Sequence, residues 1–252
     1  MTEKESKDVW DKKAMYFANL PIQSKDNDYI RMLIGAFKGD LSKARVLDIG
    51  CGTGVWSLAL ADVVGSIVGV DISETMIGYA ERNRKSIDAD NARFVTADWT
   101  DLVVGEGVLA DKYDIILIHM SPAVKTLEDL DKAIAVSRGL MLYTASFSLD
   151  YPLEEAIERN CSKKSFHGNT DFFYEVLKHV SERGFKPYLG YDADVFHREF
   201  DYEDYIKDNL VVYPELSRGQ LEEAVRPFVK DGKVISHSEM THITAYWSTN
   251  SR

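Results

Sequence analysis

The sequence is poor in cysteine and has no long apolar run. Its two cysteines, Cys51 and Cys161, are too few for a structural zinc cluster or for a disulfide framework. No apolar stretch approaches the ~20 residues that a membrane-spanning helix needs. The first eight residues also lack the apolar core of a signal peptide. We therefore expect a cytoplasmic protein without a membrane partner, and we predict no metal site.

Positive charge is also scarce. The chain has 30 Lys and Arg residues against 41 Asp and Glu residues, a formal net charge of −11 at pH 7. A broad nucleic-acid surface needs clustered Lys and Arg, so this balance argues against a nucleic-acid partner. It does not exclude a small acidic or neutral substrate in a locally different cleft. At 252 residues the chain is long enough for a full α/β core.

The stretch around which the chain is organised, residues 45–56, reads RVLDIGCGTGVW. Its apolar run, residues 46–49, suits a strand buried on both faces. Three glycines at alternate positions then permit a sharp turn and the close approach of a ligand to the main chain. A helix expected over residues 55–64 would direct its free N–H groups and the positive end of its dipole at that ligand.

Asp48 and the glycine spacing distinguish between two kinds of cofactor. Turns that bind NAD or FAD carry Gly-x-Gly-x-x-Gly, which suits a pyrophosphate, whereas this turn carries Gly-x-Gly-x-Gly. Asp48 would repel a pyrophosphate but attract a cationic amino acid group. The stretch resembles motif I of the class I methyltransferases that use S-adenosylmethionine. The resemblance implies that Asp48 helps to hold the methionine end of the cofactor. It also implies that the glycine turn passes beneath the ribose and amino acid portion of the cofactor. This turn is formed by Gly50, Cys51, Gly52 and Gly54.

Two further acids end the next predicted strands. At Asp71, a carboxylate can accept hydrogen bonds from both hydroxyls of an adenosine ribose, which NAD and S-adenosylmethionine share. The string DISETM that starts there resembles the family segment in which the hydrophobe, here Ile72, and Met76 line the adenine. By the same resemblance, Asp98 accepts a hydrogen bond from the adenine amino group, and the backbone N–H of Trp99 reaches a ring nitrogen. The alternative for Asp98 is a turn or cap residue.

His119 ends the fourth predicted strand, beside which we expect the transferable methyl group. It is the candidate catalytic residue, as a general base near neutral pH or a hydrogen-bond partner of the substrate. The alternative is a histidine that packs near the cofactor. His167 and His197 are weaker candidates for the base. The strand exit, residues 121–123, lacks the Asn-Pro-Pro-aromatic pattern of DNA and RNA amino-methyltransferases, which argues against methylation of a base amine.

Stretches outside the alternating core are candidates for closing the site. Trp10 and Phe17, on a predicted amphipathic helix, look like the N-terminal lid of many small-molecule methyltransferases of this class; a plain docking helix is the alternative. Insertions at 148–169 and between predicted strands 185–191 and 239–247 suit a substrate cap, because binding residues favour loops over a rigid scaffold. Several aromatic and histidine side chains there either line a pocket or pack in the interior: His167, His197, Tyr202, Tyr205 and Tyr213.

The predicted fold is a three-layer α/β/α sandwich of the Rossmann-like class I methyltransferase type. Its seven-stranded sheet is mostly parallel, with an antiparallel last strand. We expect a helical lid over residues 1–40, a cofactor-binding core over 41–147, and the rest of the sheet with the cap insertions over 148–252, in a single structural domain.

The function implied by the resemblance is methyl transfer from S-adenosylmethionine to a small-molecule nucleophile by in-line displacement. S-adenosylhomocysteine is then the product. The alternatives are a protein or RNA methyltransferase, and a binding module that kept the cofactor pocket but lost catalysis. A nicotinamide dehydrogenase is disfavoured by the glycine spacing and by Asp48. The sequence predicts no oligomeric state.

Overall fold

Five parallel strands form one part of an eight-stranded sheet. The computed structural model describes residues 3–159, 161 and 170–250, so His167 lies outside the described residues. Val46 pairs with Ile67 on one neighbouring strand and with Ile115 on the other, which places the first strand between the second and the fourth. The five strands are β1 (Arg45–Ile49), β2 (Ser66–Asp71), β3 (Ala92–Thr96), β4 (Tyr113–His119) and β5 (Ser137–Asp150).

Three more strands complete the order β3-β2-β1-β4-β5-β8-β6, with β7 paired to β8. They are β6 (Tyr188–Asp201), β7 (Val229–Lys230) and β8 (Lys233–Ser248). The hydroxyls of Thr144 and Thr244 lie 2.9 Å apart, and those of Ser137 and Thr249 lie 3.0 Å apart. These contacts run in opposite directions along the chain, so β8 is antiparallel to β5. The predicted mostly parallel sheet with an antiparallel last strand is confirmed.

The predicted count of seven strands is too low by one. β7 pairs with β8 through a two-residue turn in which Asp231 and Gly232 have φ angles of 51° and 76°. Positive φ at both central positions is the conformation for which Asp-Gly is preferred in tight hairpins. The Asp-Gly dipeptide was therefore the sequence signal for this strand.

β6 and β8 also extend beyond the ranges predicted for them. The buried face of β8 carries small or polar side chains, including Ser236, Ser238 and His242. A search for alternating apolar residues misses such a strand, because its buried positions are not apolar.

Helices cover the sheet and follow recognisable start signals. The side chain of Asn27 caps the second helix and that of Ser73 caps the third. Thr126 with Asp129 forms a capping box for the fourth. The helices are α1 (Glu3–Phe17), α2 (Asp28–Ala36), α3 (Glu74–Ser86), α4 (Leu127–Ala135), α5 (Pro152–Glu158), α6 (Thr170–Glu182), α7 (Tyr202–Val212) and α8 (Arg218–Val225).

Alternate residues of the parallel strands pack into two separate apolar clusters. Leu47 and Ile116 belong to the cluster that contains residues of α4 and α6. Val46 and Ile115 belong to the cluster that contains residues of α2 and α3. Because successive side chains of a strand point to opposite faces, the clusters lie on the two faces of the sheet. The predicted three-layer α/β/α arrangement is confirmed.

The helix expected over residues 55–64 does not form as an α-helix. The segment contains one 3₁₀ turn, Leu58–Leu60, flanked by other turns. The carbonyl of Val55 accepts a hydrogen bond from the amide of Gln23 at 3.0 Å. The side chain of Asn91 donates to two more carbonyls of the segment, those of Ala61 and Val64. The carbonyl of Val55, which a regular helix would use internally, is therefore bonded to a distant residue.

The chain divides into two compact units. The first comprises Met1–Ala145, Asp171–Gly190 and Ile243–Arg252, and the second comprises Ser146–Thr170 and Tyr191–His242. In the part of the chain that the structure describes, no helix is both long and apolar enough to cross a bilayer. A cytoplasmic location stays a prediction.

The second unit has an apolar cluster of its own, built on α5, α7 and α8. Tyr205 is buried in this cluster, and Tyr202 and Tyr213 are packed against it. The Tyr213 hydroxyl also donates a hydrogen bond to Glu158. These three tyrosines therefore take the packing alternative that the sequence left open. The fully buried members of the cluster are Leu153, Ile157, Ile206, Leu221, Val225 and Val234.

Candidate active site

The glycine turn after β1 combines tight packing with an open backbone. Gly50, Gly52 and Gly54 have φ angles of 71°, 52° and 72°. A Cβ atom on Gly50 would lie 1.7 Å from Oγ of Ser121, and one on Gly54 would lie 2.7 Å from the ring of Phe94. A Cβ atom on Gly52 would meet nothing within 4 Å. The outer glycines are thus required for packing, whereas Gly52 leaves an open cradle over the main chain that fits a ligand.

Cys51 fills the interior side of the same turn. Its thiol is buried, and a Cβ atom on Gly69 would lie 2.9 Å from its Sγ. Burial, with Asp48 and Asp71 nearby, raises the pKa of this thiol well above its usual range. A thiol with a raised pKa is a poor nucleophile, which agrees with a packing role for the side chain.

Asp71, at the end of β2, ties the glycine turn to the start of α3. One carboxylate oxygen accepts a hydrogen bond from the amide of Gly52, and the other accepts one from the amide of Ser73, both at 2.9 Å. Burial raises the pKa of Asp71, against the effect of these two bonds. Each oxygen keeps a second lone pair, so the carboxylate can also accept two ribose hydroxyl groups.

Asp48 is a buried acid on β1, on the same face of the sheet as Val46. Burial raises its pKa to about 7, although a hydrogen bond from Ser57 lowers it; the charge of Asp71 raises it further. Such a carboxyl group gains most from a cationic ligand, because an opposite charge favours its ionised form. Its environment fits the positively charged amino acid end of S-adenosylmethionine.

Asp98 and Trp99 lie after β3. One oxygen of Asp98 accepts hydrogen bonds from both the amide and the hydroxyl of Thr100, at 2.8 Å each. Asp98 therefore caps a short 3₁₀ turn, as the alternative predicted. The indole of Trp99 is buried and donates to the carbonyl of Asp129 at 3.2 Å. Contacts of Asp98 with an adenine amine and of the Trp99 amide with an adenine ring stay predictions.

The N-terminal helix, α1, is hydrogen-bonded to the start of α3. Asp11 of α1 accepts hydrogen bonds from the Ser73 hydroxyl at 2.5 Å and from the Thr75 amide at 3.2 Å. Burial raises the pKa of Asp11, but these bonds and one from Lys7 outweigh it and lower the pKa to about 2. Met76, one position further along, is buried, and Ile72 is half-buried. The anchoring role of Asp11 was missed by sequence reasoning, because its partners lie more than sixty positions away.

Trp10 and Phe17 lie on the same docked helix. Lys13 places its ammonium 5.1 Å from the centre of the Trp10 ring, and Phe17 is exposed. Ala14, between them, is fully buried. The docking of α1 is thus observed, whereas closure of Trp10 and Phe17 over a cofactor stays a prediction.

His119 packs against aromatic rings at the end of β4. Its ring centre lies 4.0 Å from that of Trp56 and 4.6 Å from that of Tyr29. Asp48 pairs with Leu117, so His119 lies two residues further along the same face. The first unit thus holds this histidine and the predicted cofactor residues. These contacts favour the packing alternative, and a role as general base stays a hypothesis.

His197 lies in the second unit, where its ring faces that of His237. It was also a candidate for the base.

The next residue after His119, Met120, has a positive φ of 49° and was not singled out from the sequence. A non-glycine residue in this region is strained and occurs often at functional sites.

Comparison with known families identifies the chain. A family model described as a methyltransferase domain matches residues 40–208. The chain belongs to this methyltransferase family. Membership of this family supports the predicted use of S-adenosylmethionine as the methyl donor.

Relatives of the methyltransferase differ in how much of their length they share with it. An uncharacterized protein of Haemophilus influenzae is 23% identical over 245 residues, which cover 95% of this chain and 86% of the relative. A 23S rRNA (uracil(1939)-C(5))-methyltransferase of Marinomonas posidonica is 35% identical over 100 residues, 40% of this chain and 22% of the relative. A ribosomal protein L11 methyltransferase of Thermotoga petrophila is 33% identical over 141 residues, 55% of this chain and 46% of the relative. The chain thus spans less than half of each of the two relatives with named activities.

Solved structures share the fold of the methyltransferase. The magnesium protoporphyrin IX methyltransferase of Synechocystis PCC 6803, solved with bound S-adenosylmethionine, has a TM-score of 0.51 at 15% identity and covers 95% of this chain and 96% of its own. A precorrin-6y C5,15-methyltransferase of Geobacter metallireducens also has a TM-score of 0.51, at 13% identity, and covers 87% of this chain and 88% of its own. The predicted Rossmann-like class I fold is confirmed.

Proposed function

We propose that this methyltransferase transfers the methyl group of S-adenosylmethionine to a small-molecule nucleophile and releases S-adenosylhomocysteine. The charge of the second unit carries this proposal. That unit contains 16 acidic and nine basic side chains, a net charge of −7. Binding of a nucleic acid depends on neutralising its phosphates with Lys and Arg, so such a surface disfavours RNA. A neutral or cationic small molecule meets no such repulsion.

The cofactor is held, in this proposal, by residues of the first unit. Asp71 accepts the ribose hydroxyl groups, and its two oxygens already accept hydrogen bonds from the glycine turn and from the start of α3. Asp48 offers its buried carboxyl group to the amino acid end, and Gly52 leaves the main chain open beneath it. The adenine is assigned to the following group: Ile72, Met76, Asp98 and the backbone of Trp99, with Trp10 and Phe17 as the covering aromatic side chains.

When bound, S-adenosylmethionine supplies a methyl group on a positively charged sulfur, and neutral S-adenosylhomocysteine leaves. The chain then has to align the acceptor for in-line attack and exclude water. Ser121 packs against Gly50, which fixes the exit of β4 relative to the glycine turn. Met120, held in its strained conformation by a hydrogen bond from its amide to Thr144, is exposed at this exit and is our candidate for contact with the acceptor. His119 acts as base only if the acceptor must lose a proton.

The cysteines support an acceptor other than carbon 5 of uracil. That carbon becomes nucleophilic only after another nucleophile, such as a thiolate, has added to the ring. Burial raises the pKa of Cys51 far above its usual range, and burial together with Glu215 raises that of Cys161. Neither thiol has the lowered pKa of a reactive cysteine. A nitrogen, oxygen or sulfur atom of a small molecule needs no such step.

The cofactor site is tested by isothermal titration with S-adenosylmethionine, S-adenosylhomocysteine and NAD. We expect micromolar binding of both sulfur compounds and none of NAD. Asp71→Ala should weaken binding by at least about tenfold, since hydrogen bonds to charged groups contribute ~1.5–3 kcal/mol. Asp71→Asn should weaken it less, and the exposed Asp88→Asn should leave it unchanged. Equal binding by Asp71→Ala and the native protein would contradict the assignment.

The acceptor class is tested with methyl-labelled S-adenosylmethionine. The enzyme is incubated separately with three fractions of one cell extract: low-mass metabolites, RNA and protein. We expect label in the low-mass fraction. Label in RNA or in protein would show that this macromolecule, and not a small molecule, is the methyl acceptor. Cofactor binding without label in any fraction would favour a non-catalytic binding module.

A further inference from the structure

Two exposed histidines face each other across neighbouring strands of the second unit. Nδ1 of His197, on β6, lies 3.1 Å from Nδ1 of His237, on β8. The ring centres are 4.5 Å apart, with 44° between the ring planes. Because both residues lie on strands of one sheet, the backbone holds the two rings close together without a long flexible loop.

Contacts on either side of this pair also join β6 to β8. On one side, His242 lies 3.1 Å from Asp192. On the other side, the ammonium of Lys233 donates to Glu199 at 2.8 Å. All three contacts join β6 to β8 in the antiparallel sense. The positions of the facing imidazoles are therefore set by the sheet.

The facing nitrogens can share a single cation. In a neutral pair, one Nδ1 carries a proton and donates it to the lone pair of the other. Two protons would set two positively charged donors against each other. A metal ion bound to both nitrogens would use both lone pairs instead. With metal–nitrogen bonds of about 2.0–2.1 Å, a separation of 3.1 Å corresponds to an N–metal–N angle of about 100°, between octahedral and tetrahedral geometry.

We propose that His197 and His237 form a binding site for a divalent first-row transition-metal ion such as Zn²⁺. Imidazole nitrogen suits zinc, copper and nickel, whereas magnesium and calcium take oxygen ligands. Among the residues that the structure describes, no group of three His, Cys, Asp or Glu is placed to hold a metal ion, so water completes the coordination shell. Both rings are exposed, which gives the ion direct access from solvent.

A negative charge lies near the pair on the same surface. Glu239 follows His237 by two positions and therefore lies on the same face of β8, where it is exposed. Its carboxylate favours a divalent cation at this face electrostatically. A bound ion would link β6 to β8 and so stabilise the second unit. The site is separate from the proposed cofactor residues, which belong to the first unit.

The test is titration of the metal-free full chain with Zn²⁺ at pH 7.5, in a Cys161→Ser background that removes the partly exposed thiol. We expect one ion per chain with micromolar affinity. His197→Ala and His237→Ala should each weaken binding at least about tenfold, because a single imidazole cannot chelate. His237→Gln serves as a second variant that keeps side-chain volume. Lys207→Ala, at an exposed position of α7 in the same unit, should leave zinc affinity unchanged.

Two further measurements identify the ligands. Zn²⁺ should shift the imidazole nuclear magnetic resonances of His197 and His237. At a concentration of ~100 times Kd the ion should raise the Tm by a few degrees, and Mg²⁺ should not. Undiminished zinc binding by the double alanine variant, or no binding by the native chain at millimolar Zn²⁺, would overturn the proposal.

Discussion

Asp48 illustrates how a single buried group links stability to cofactor binding. Its pKa of about 7 in the folded chain lies above the ordinary value of 3.8. The folded chain therefore binds the proton more tightly than the unfolded chain. Consequently, the contribution of this group to the free energy of unfolding is greatest below pH 4, falls as the pH rises towards 7, and then stays constant.

Asp48→Asn should separate stability from binding. We expect the variant to unfold at higher urea concentration than the native chain at pH 8, with little difference near pH 4. The gain at pH 8 is at most about 4 kcal/mol, since each pKa unit corresponds to ~1.4 kcal/mol.

The same variant should lose its pH-dependent affinity for S-adenosylmethionine. A cation bound beside Asp48 favours the ionised carboxyl group, so binding by the native protein near pH 7 should release a proton. Titration calorimetry in buffers of different ionisation enthalpy measures that release. Equal proton release by Asp48→Asn would show that Asp48 does not bind the cationic end.

Two glycines of one turn should respond differently to the same substitution. Gly50→Ala brings a methyl group against Ser121 at positive φ, and we expect a loss of about 2–4 kcal/mol in the free energy of unfolding. Gly52→Ala meets no neighbour and should cost only about 1 kcal/mol, but should weaken cofactor binding at least tenfold. Gly35→Ala, in α2 with open space around it, is the control: it should leave cofactor binding unchanged and should not lower the free energy of unfolding, because alanine favours a helix over glycine. Chemical denaturation and calorimetry measure both quantities, and intact binding by Gly52→Ala would contradict the cradle.

At the scale of elements, α1 depends on α3 for its position. Asp11 bonds the Ser73 hydroxyl and the Thr75 amide, so it satisfies groups at the positive end of α3. Its pKa of about 2 is below the ordinary value of 3.8. The stabilisation it provides is thus fully present above pH 4 and is lost as the pH falls towards 2.

Asp11→Ala should release α1 from the first unit. We expect trypsin to cut after Lys12 and Lys13 several times faster than in the native chain at pH 8, because undocked helix residues become accessible. The control is Asp8→Ala, an exposed acid of the same helix, which should leave the cleavage rate unchanged. Mass spectrometry of the digest identifies the cut sites. Equal rates in both variants would show that Asp11 does not anchor the helix.

Some signals in the sequence were sufficient to predict a helix, strand or turn, and others were not. The glycine turn and the buried parallel strands were predictable from the sequence. Positive φ favours glycine, and burial on both faces of a sheet favours a run of apolar residues. The segment at 55–64 was not predictable, because its carbonyls bond to Gln23 and Asn91, which are distant in sequence. The hairpin at Asp231 was predictable from its turn residues but was overlooked.

At the scale of the whole molecule, two units carry different tasks in our proposal. The cofactor residues belong to the first unit, and the excess of acidic side chains in the second unit disfavours an RNA acceptor. The second unit has its own buried apolar cluster, so its local stability can be changed separately.

Leu221→Ala should loosen the second unit alone. Leu221 is fully buried in its cluster, and removal of such a side chain costs about 2–5 kcal/mol. We expect faster amide hydrogen exchange in α7 and α8 and unchanged affinity for S-adenosylmethionine. Val211→Ala, at an exposed position of α7, is the matched control and should change none of these. A large loss of cofactor affinity in Leu221→Ala would contradict the assignment of cofactor binding to the first unit.

The sequence by itself determined the five parallel strands, the glycine turn and the order of acids that follow successive strands. These features depend on the conformational limits of neighbouring residues and on alternate burial along a strand, both of which are local. Only the tertiary structure decided that Ser121 lies against Gly50, that Asp11 anchors α1 to α3, and that His197 faces His237. Each of these contacts joins residues far apart in the chain, so their geometry depends on how the helices and strands pack.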